Sequence, residues 1–299
     1  MRFDGILFFP VTPFAATGSI DHDLLGAHVA GGVDHGAGGV FPACGTGEFH
    51  ALSAAEATAV VQTAVGDVAG RVPVVAGTGG PLGHALATAR GAAEAGADAL
   101  LVLPPYLVGG PQAGLIAYVE AVAAASDLPV IVYHRANAQF TPASMRRLAE
   151  NPRVVGFKDG AGDIGTTQLI VRAVAAAGRE DFAFFNGLLT AELTQAAYRG
   201  IGVPLYSSAA FAMIPDVAVA YYRAYVAGDE DRRRELLDVF YTPLVALRDE
   251  TPGFGVSLIK AGLRLGGTAV GGVRAPLVDP TADQERRLAE ILEAGRALL

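Results

Sequence analysis

The sequence predicts a (β/α)8 barrel, or TIM barrel, with a C-terminal helical extension. Eight short apolar runs alternate with helix-period segments over roughly the first 225 of the 299 residues, which is the order and size of such a barrel. Strand patterns stop after about residue 225, and helical patterns continue to the end. We therefore expect residues 1–225 to form a catalytic barrel. Residues 226–299 are expected to form a helical extension of the same structural unit, used for packing between subunits.

The predicted strands are apolar runs, mostly β-branched or aromatic, that are bounded by turn residues. They lie at residues 6–9, 39–41, 74–76, 99–102, 130–133, 154–158, 182–185 and 202–207. An open, doubly wound parallel sheet would give a similar alternation of strands and helices. No Gly-x-Gly-x-x-Gly fingerprint follows the first strand, which weakens a dinucleotide-binding interpretation.

The predicted helices carry apolar residues at helical spacing. They lie at residues 24–33, 55–68, 85–95, 114–125, 143–150, 166–177 and 190–199, and in the extension at 229–247, 255–265 and 282–299. Ser-Ala-Ala-Glu at 53–56 is a capping-box pattern, and Thr141-Pro142 is an N-cap followed by proline at the first helical position. Three glycines are expected to close helices in the left-handed conformation: Gly96, Gly178 and Gly200.

Composition and charge restrict the classes of function. With 52% apolar residues the chain can bury a large core. A net charge of −8 argues against binding to nucleic acid or to an anionic membrane, so the expected partner is a small molecule. The apolar run before Pro10 is too short for a signal peptide, and no segment is as long as a transmembrane helix. Because Cys44 is the only cysteine, no intramolecular disulfide is possible, and we expect a cytoplasmic protein.

Lys158 carries the most specific chemical prediction. The sequence has two lysines, Lys158 and Lys260, among its 22 lysines and arginines, so arginine serves almost wherever a solvated cation is needed. Lys158 ends an apolar strand pattern and is followed by the turn pair Asp159-Gly160. Burial disfavours a charged ammonium and favours the neutral amine that attacks a carbonyl, so Lys158 is a candidate Schiff-base lysine. The alternative is a lysine that reaches from a strand end into water.

Polar and turn-forming residues follow most of the predicted strands, and in a barrel these positions meet at one mouth. They are Gly45, Thr46, Gly47, Glu48, Tyr106, Tyr133, His134, Arg135, Lys158, Asn186, Gly187, Ser207 and Ser208. Tyr133 lies one strand from Lys158, and a phenol there can move the protons of imine chemistry. The Gly-Thr-Gly segment at 45–47 offers backbone amides and a hydroxyl to a carboxylate, and Ser207 and Ser208 offer further donors.

Four motifs in the sequence carry a family resemblance. They are Phe-Pro-Ala-Cys-Gly-Thr-Gly-Glu at 41–48, Leu-Pro-Pro-Tyr at 103–106, Val-Tyr-His-Arg at 132–135 and Gly-Phe-Lys-Asp at 156–159. In this order and spacing they resemble the dihydrodipicolinate synthase/N-acetylneuraminate lyase superfamily of class I aldolases, over nearly the whole chain. The resemblance implies a barrel with a C-terminal helical part, usually tetrameric. It also implies that Lys158 forms a Schiff base with a 2-oxo acid, that Tyr133 relays protons, and that the 45–47 loop holds the 2-oxo acid carboxylate.

Departures from the family pattern narrow the substrate. Dihydrodipicolinate synthases have a threonine at the position of Gly45 and a second tyrosine at the position of Leu107, and both are relay groups. The arginine with which these synthases bind their second substrate has no counterpart at the matching spacing in this sequence. Arg135 can bind a different acid. The four motifs, together with Tyr-Ser-Ser-Ala at 206–209, are most similar to those of the subgroup that dehydrates and decarboxylates 5-dehydro-4-deoxyglucarate to 2,5-dioxopentanoate.

The resemblance implies a reaction on one bound molecule that carries two carboxylates, without a metal or an organic cofactor. One carboxylate is expected at Thr46 and Gly47, and the other near a polar group further along the mouth: Ser207, Ser208, Asn186 or Arg135. An aldolase that cleaves a 2-oxo-3-deoxy sugar acid to pyruvate would use the same Lys158 and Tyr133. A non-catalytic sugar-acid sensor that keeps the pocket is the alternative from another class.

Several polar residues are interpreted as structural. Cys44 is expected to be a small packed residue, His134 a hydrogen-bonded strand-end histidine, and Asp163 a turn or capping residue. Lys260 is expected to be solvated or to lie at a subunit interface. Tyr106 is expected at the mouth or at a subunit contact.

Overall fold

The computed structural model describes residues 3–299, which form a parallel eight-stranded barrel surrounded by helices. The strands are β1 (Ile6–Phe8), β2 (Ala37–Val40), β3 (Val75–Thr78), β4 (Ala99–Val102), β5 (Val130–His134), β6 (Val154–Asp159), β7 (Ala183–Asn186) and β8 (Leu205–Ser208). The strands pair through hydrogen bonds in the order β2, β1, β8, β7, β6, β5, β4 and β3. A single parallel bridge between Val40 and Val74 joins β2 to the start of the β3 segment. The predicted barrel is confirmed.

Helices connect the strands and continue beyond the barrel. They are α1 (His22–Asp34), α2 (Ala54–Val68), α3 (Leu82–Glu94), α4 (Gln112–Ala124), α5 (Pro142–Ala149), α6 (Ile164–Ala175), α7 (Gln195–Gly200) and α8 (Pro215–Ala227), followed by α9 (Glu230–Leu236), α10 (Thr242–Arg248), α11 (Phe254–Leu265) and α12 (Ala282–Arg296). Helix α8 is absent from the helices predicted above, although Pro215 in its first turn is a start signal. In the described residues 3–299, no helix is long and apolar enough to cross a membrane.

The predicted helix starts are confirmed by their hydrogen bonds. Ser53 and Glu56 form the reciprocal bonds of a capping box at α2. The side chain of Thr141 accepts from the amide of Ser144 at the start of α5. The side chain of Asp163 accepts a hydrogen bond from the amide of Thr166 at the start of α6, which confirms its interpretation as a capping residue.

Two predicted helix boundaries are wrong. Helix α7 includes Gly200, and the left-handed residue that follows it is Gly202, with φ of 89°. The continuous helix expected over 229–247 is interrupted by a π-helical segment, Leu237–Tyr241, between α9 and α10. Pro243 explains the interruption, because proline has no amide to donate and its ring crowds the carbonyl four residues earlier. Gly96 and Gly178, by contrast, have positive φ as predicted.

Two apolar clusters build the core. One fills the barrel interior with side chains from alternate strand positions, including Leu7, Phe41, Leu101 and Ile131. The other lies between the strands and the surrounding helices and continues into the extension. This arrangement fills the barrel interior below the mouth cavity described in the next section.

The extension packs closely onto the barrel. In α11 the backbone of Gly262 approaches Met213, where a Cβ atom would lie 2.6 Å from the sulfur. Lys260 in the same helix is 0% exposed, so the prediction that it is solvated or at an interface is wrong. Its ammonium lies 2.6 Å from a carboxylate oxygen of Glu48, which compensates the buried charge.

We expect the barrel and the extension to unfold as one unit. Leu292 in α12 is 1% exposed, so Leu292→Ala should lower the free energy of unfolding by about 2–5 kcal/mol. Leu299→Ala, at a side chain that is 61% exposed, is the control and should change it by less than about 0.5 kcal/mol. Urea unfolding followed by far-ultraviolet circular dichroism and by tyrosine fluorescence should give one coincident transition. Two separate transitions, with only one sensitive to Leu292→Ala, would contradict a single unit.

Candidate active site

A cavity of about 400 Å³ opens at the C-terminal ends of the strands. Eight of the residues predicted at the mouth line it: Gly45, Thr46, Tyr106, Tyr133, Arg135, Lys158, Gly187 and Ser207. They come from the ends of β5, β6 and β8 and from the segments after β2, β4 and β7. The fold therefore brings together residues that are up to 162 positions apart in the sequence.

Lys158 lies in the wall of this cavity and packs against aromatic rings. Its side chain is buried, and its Nζ atom lies 4.0 Å from the centroid of the Tyr133 ring and 4.8 Å from that of Phe9. The register of the sheet sets this contact, because Tyr133 and Lys158 are direct neighbours in the pairing of β5 with β6. Both side chains point to the same side of the sheet and meet inside the barrel.

Tyr133 has hydrogen bonds that suit a proton relay. Its hydroxyl donates to the carbonyl of Gly187 at 2.9 Å and accepts from Nη1 of Arg135 at 2.9 Å. Burial works to raise the pKa of Tyr133, but the charges of Lys158 and Arg135 outweigh it and leave the pKa below its ordinary value. The phenol is therefore closer to its deprotonated form than a tyrosine in water.

Two glycines allow the lysine and the tyrosine to lie where they do. A Cβ atom at Gly187 would be 2.6 Å from Cγ of Lys158 and 2.8 Å from the carbonyl oxygen of Asp159. A Cβ atom at Gly160 would be 2.7 Å from the Tyr133 ring. Neither site has room for a methyl group, so both glycines help to set the position of the reactive side chains.

The loop after β2 presents part of the predicted carboxylate site. Gly45 and Thr46 line the cavity, whereas Gly47 does not. The carbonyl of Gly47 instead accepts from Oγ1 of Thr12 at 2.7 Å, which anchors the loop from behind. The predicted role of Gly47 in substrate contact is thus replaced by a role in loop anchoring.

Asn186 and Ser208 also lie outside the cavity lining, unlike the prediction. Alternate residues of a strand point to opposite faces, so Ser207 faces the cavity and Ser208 faces the surrounding helices. The hydroxyl of Ser208 donates to Glu192 at 2.5 Å. The amide of Asn186 donates to the carbonyl of Ala191 and to Thr194, and its oxygen accepts from the amide of Leu188. Both side chains are occupied with protein partners.

Much of the cavity wall was not predicted from the sequence. The apolar part consists of Phe9, Leu101, Leu103, Leu188, Leu189, Val256 and Leu277, and further wall residues include His50, Gly253 and Gly255. Gly253 is the N-cap of α11, and Gly255 and Val256 lie in its first turn, so the extension contributes to the site. The turn signal Pro252-Gly253 predicts a helix start there, but no local pattern indicates that it faces the mouth. Burial lowers the pKa of His50, with Glu48 opposing, and this favours a neutral imidazole.

The other singled-out polar residues have structural partners. Nδ1 of His134 accepts from the amide of Phe140 at 2.9 Å. Asp159 accepts from Tyr198 and from Thr167. Burial raises the pKa of Cys44 to about 12, so its thiol is packed and protonated. Within residues 3–299, no group of three or more His, Cys, Asp or Glu side chains has the arrangement of a metal site.

Gly187→Ala tests the packing of the lysine. The added methyl must displace Lys158 or the carbonyl of Asp159, so turnover should fall about 100-fold or more, as for a small misplacement of a reacting group. Gly31→Ala in α1 is the control, because nothing lies within 4 Å of its Cβ position, and it should keep wild-type turnover. Steady-state kinetics with circular dichroism as a check of folding make the comparison. A folded Gly187→Ala protein with wild-type turnover would show that Lys158 does not need this position.

The fold is closely similar to solved structures of dihydrodipicolinate synthases. The chain superimposes on the enzyme from Oceanobacillus iheyensis with a TM-score of 0.90 at 26% identity, covering 99% of this chain and 97% of that one. It superimposes on YagE from Escherichia coli K12, a member of the dihydrodipicolinic acid synthase family solved in complex with pyruvate, with a TM-score of 0.86 at 27% identity and 99% coverage of both chains.

Sequence relatives agree with the structural neighbours. A protein of Streptomyces griseus named probable 5-dehydro-4-deoxyglucarate dehydratase is 54% identical over 296 residues, which cover 99% of this chain and 92% of that protein. A protein of Paracidovorax citrulli with the same name is 42% identical, covering 97% of this chain and 94% of that one. The model of the dihydrodipicolinate synthetase family matches residues 2–295. The chain therefore belongs to the dihydrodipicolinate synthetase family.

Proposed function

We propose that this protein is a Schiff-base-forming hydro-lyase that dehydrates and decarboxylates 5-dehydro-4-deoxy-D-glucarate to 2,5-dioxopentanoate. The observation that carries the proposal is the buried Lys158, packed 4.0 Å from the Tyr133 ring in the wall of a cavity sized for a small molecule. The names of the sequence relatives give this substrate for those proteins. The pyruvate complex of a structural neighbour supports the binding of a 2-oxo acid by the same fold.

The cavity offers groups for both carboxylates of the substrate. We assign the carboxylate beside the ketone to Thr46 and the backbone of Gly45, which line the cavity and can offer hydrogen-bond donors. Arg135 also lines the cavity, and its guanidinium suits the distal carboxylate because it offers paired donors in a fixed plane. Ser207 adds one hydroxyl to the lining, and its Oγ donates to the carbonyl of Asn186 at a long 3.4 Å. Apolar side chains form much of the remaining wall.

The first steps use Lys158 and Tyr133. The neutral amine of Lys158 adds to the ketone carbon, and loss of water gives an iminium, with Tyr133 passing the protons that addition and water loss require. The iminium acidifies the adjacent methylene. Removal of one methylene proton forms an enamine, which expels the hydroxyl on the next carbon as water and leaves a conjugated iminium.

Decarboxylation then occurs on the same bound molecule. The bond between the distal carboxylate and its hydroxyl-bearing carbon breaks, carbon dioxide leaves, and the electron pair passes through the conjugated system to the iminium nitrogen. Reprotonation of the dienamine and ketonisation of the enol give the aldehyde. Hydrolysis of the imine returns Lys158 and releases 2,5-dioxopentanoate, so one substrate yields one water and one carbon dioxide.

The departures at Gly45 and Leu107 favour this reaction over an aldol cleavage. An aldolase must manage protons on a second carbonyl partner, and the hydroxyls that the related synthases use for this are replaced by glycine and leucine here. Leu107 is 98% exposed, so its side chain does not complete the cavity wall within one chain. Leu107 and the exposed Val108 beside it support a homo-oligomer, which we propose to be a tetramer in the cytoplasm.

Product analysis tests the proposed reaction. With 5-dehydro-4-deoxyglucarate and no added metal, we expect one carbon dioxide and one semialdehyde per substrate consumed, and no pyruvate. Carbon dioxide release and a coupled aldehyde dehydrogenase measure the two products. Stoichiometric pyruvate from a 2-oxo-3-deoxy sugar acid, with no turnover of the glucarate derivative, would favour the aldolase. Tight binding without turnover of either would favour a sensor.

Tyr133→Phe tests the proton relay. The substitution keeps the ring against Lys158 and removes the hydroxyl that bonds to Gly187 and Arg135, so turnover should fall about 10²–10⁴-fold. Tyr222→Phe in α8, remote from the cavity lining, is a matched control that should keep wild-type turnover. If Tyr133→Phe stayed within a factor of about three of the wild-type rate, the relay would have to be assigned to another group.

A further inference from the structure

A fully buried ion pair connects the carboxylate-binding loop to the C-terminal extension. Nζ of Lys260 in α11 lies 2.6 Å from Oε1 of Glu48, and both side chains are 0% exposed. Glu48 directly follows the Gly-Thr-Gly loop at 45–47. It is 212 residues from Lys260 in the sequence, so the pair joins two distant parts of the chain.

Each partner also bonds to a third segment, residues 271–274. Nζ of Lys260 donates to the carbonyl of Gly272 at 2.8 Å, and Oε2 of Glu48 accepts from the amide of Arg274 at 2.8 Å. The guanidinium of Arg274 donates to the carbonyl of Ala51 at 3.0 Å, just past the loop. The C-terminal end of the loop is therefore held by two parts of the extension, helix α11 and residues 271–274.

The loop needs such support because its backbone is strained. Glu48 has φ of 58° and Ala43 has φ of 50°, both in the left-handed region that non-glycine residues avoid. Thr46, which faces the cavity, lies between these two positions. Without outside contacts the loop would relax, and the threonine hydroxyl would lose its place.

Stability alone is a weak reason for burying two charges. Removing both charges from water costs free energy, and apolar residues of similar size often stabilise such a site equally well or better. A buried pair does, however, accept only one arrangement of its partners. Helix α11 carries Lys260, and the first turn of the same helix lines the cavity with Gly255 and Val256.

We propose that the Glu48–Lys260 pair is a positioning device that holds Thr46 and the 45–47 loop in register with the cavity for the carboxylate of a 2-oxo acid. This inference rests on the proposed function and adds two residues to it. Neither Glu48 nor Lys260 lines the cavity, so both act through the loop and not on the substrate.

A pair of probes separates loop positioning from lysine reactivity. Pyruvate and acetone both form an imine with a lysine, but only pyruvate has a carboxylate. Trapping with cyanoborohydride and intact-mass analysis gives the concentration of each probe that half-labels Lys158. Wild-type protein should be labelled at a much lower concentration of pyruvate than of acetone. The ratio of the two concentrations measures the contribution of the carboxylate contact. A change in the reactivity of Lys158 affects both probes and therefore cancels in this ratio.

The double variant Glu48→Gln/Lys260→Met removes the pair without leaving an unpaired buried charge, so it should fold. We expect it to lose pyruvate preference by about tenfold or more, the effect of losing a hydrogen bond to a charged group, while acetone labelling is unchanged. Thr46→Val should show the same selective loss. Arg286→Met in α12 is the control because it removes only exposed ion pairs, to Asp283 and Glu290 in the same helix, and should keep the wild-type ratio.

Three outcomes would overturn the inference. One is a folded double variant that keeps the wild-type pyruvate preference. The second is an equal loss for both probes, and the third is failure of the double variant to fold while Arg286→Met folds, since either of these two results would make the pair a general structural support. A wild-type protein that neither probe labels at Lys158 would instead reject the proposed function, so the two failures are distinguishable.

Discussion

The contact of Nζ of Lys158 with the Tyr133 ring is the interaction on which the site depends. It is set by the pairing of β5 with β6, in which the two residues are direct neighbours, and it is made possible by two glycines. Gly160 leaves space for the phenol and Gly187 leaves space for the lysine stem. Gly187 also accepts the hydrogen bond of the phenol through its carbonyl, so a single residue positions both groups. Strand register and the absence of side chains at the two glycines thus place Lys158 beside Tyr133.

The two lysines of the chain show how their surroundings decide their roles. Both are buried and both lie over aromatic rings, Lys158 over Tyr133 and Phe9 and Lys260 over Phe14. Lys260 also faces the carboxylate of Glu48, which compensates its charge inside the protein, whereas Lys158 lines the cavity. Lys260 is therefore suited to fix the structure, and Lys158 lies where a ligand in the cavity can reach it.

Periodic patterns and motifs predicted the parts of the molecule that local chemistry controls. Short stretches of sequence were enough to predict the eight strands and the helix caps at Ser53, Thr141 and Asp163. They were also enough to place Lys158 and Tyr133 at one mouth. The direction of Asn186 and Ser208 could not be predicted, because a one-residue uncertainty in where a strand begins reverses the face to which each side chain points. The burial of Lys260 depends on Glu48, 212 positions away, and no local pattern contains that partner. The contribution of α11 to the cavity wall was missed for the same reason.

Borohydride trapping with 5-dehydro-4-deoxyglucarate is the most direct test of the central claim that Lys158 forms an imine with the substrate. Because the chain has only two lysines and cleavage after Arg153 and Arg172 isolates one of them, peptide mass analysis identifies the site of labelling without ambiguity. We expect one reduced adduct per chain, on the 154–172 peptide, with parallel loss of activity. An adduct on Lys260, or no adduct in protein that turns the substrate over, would contradict it.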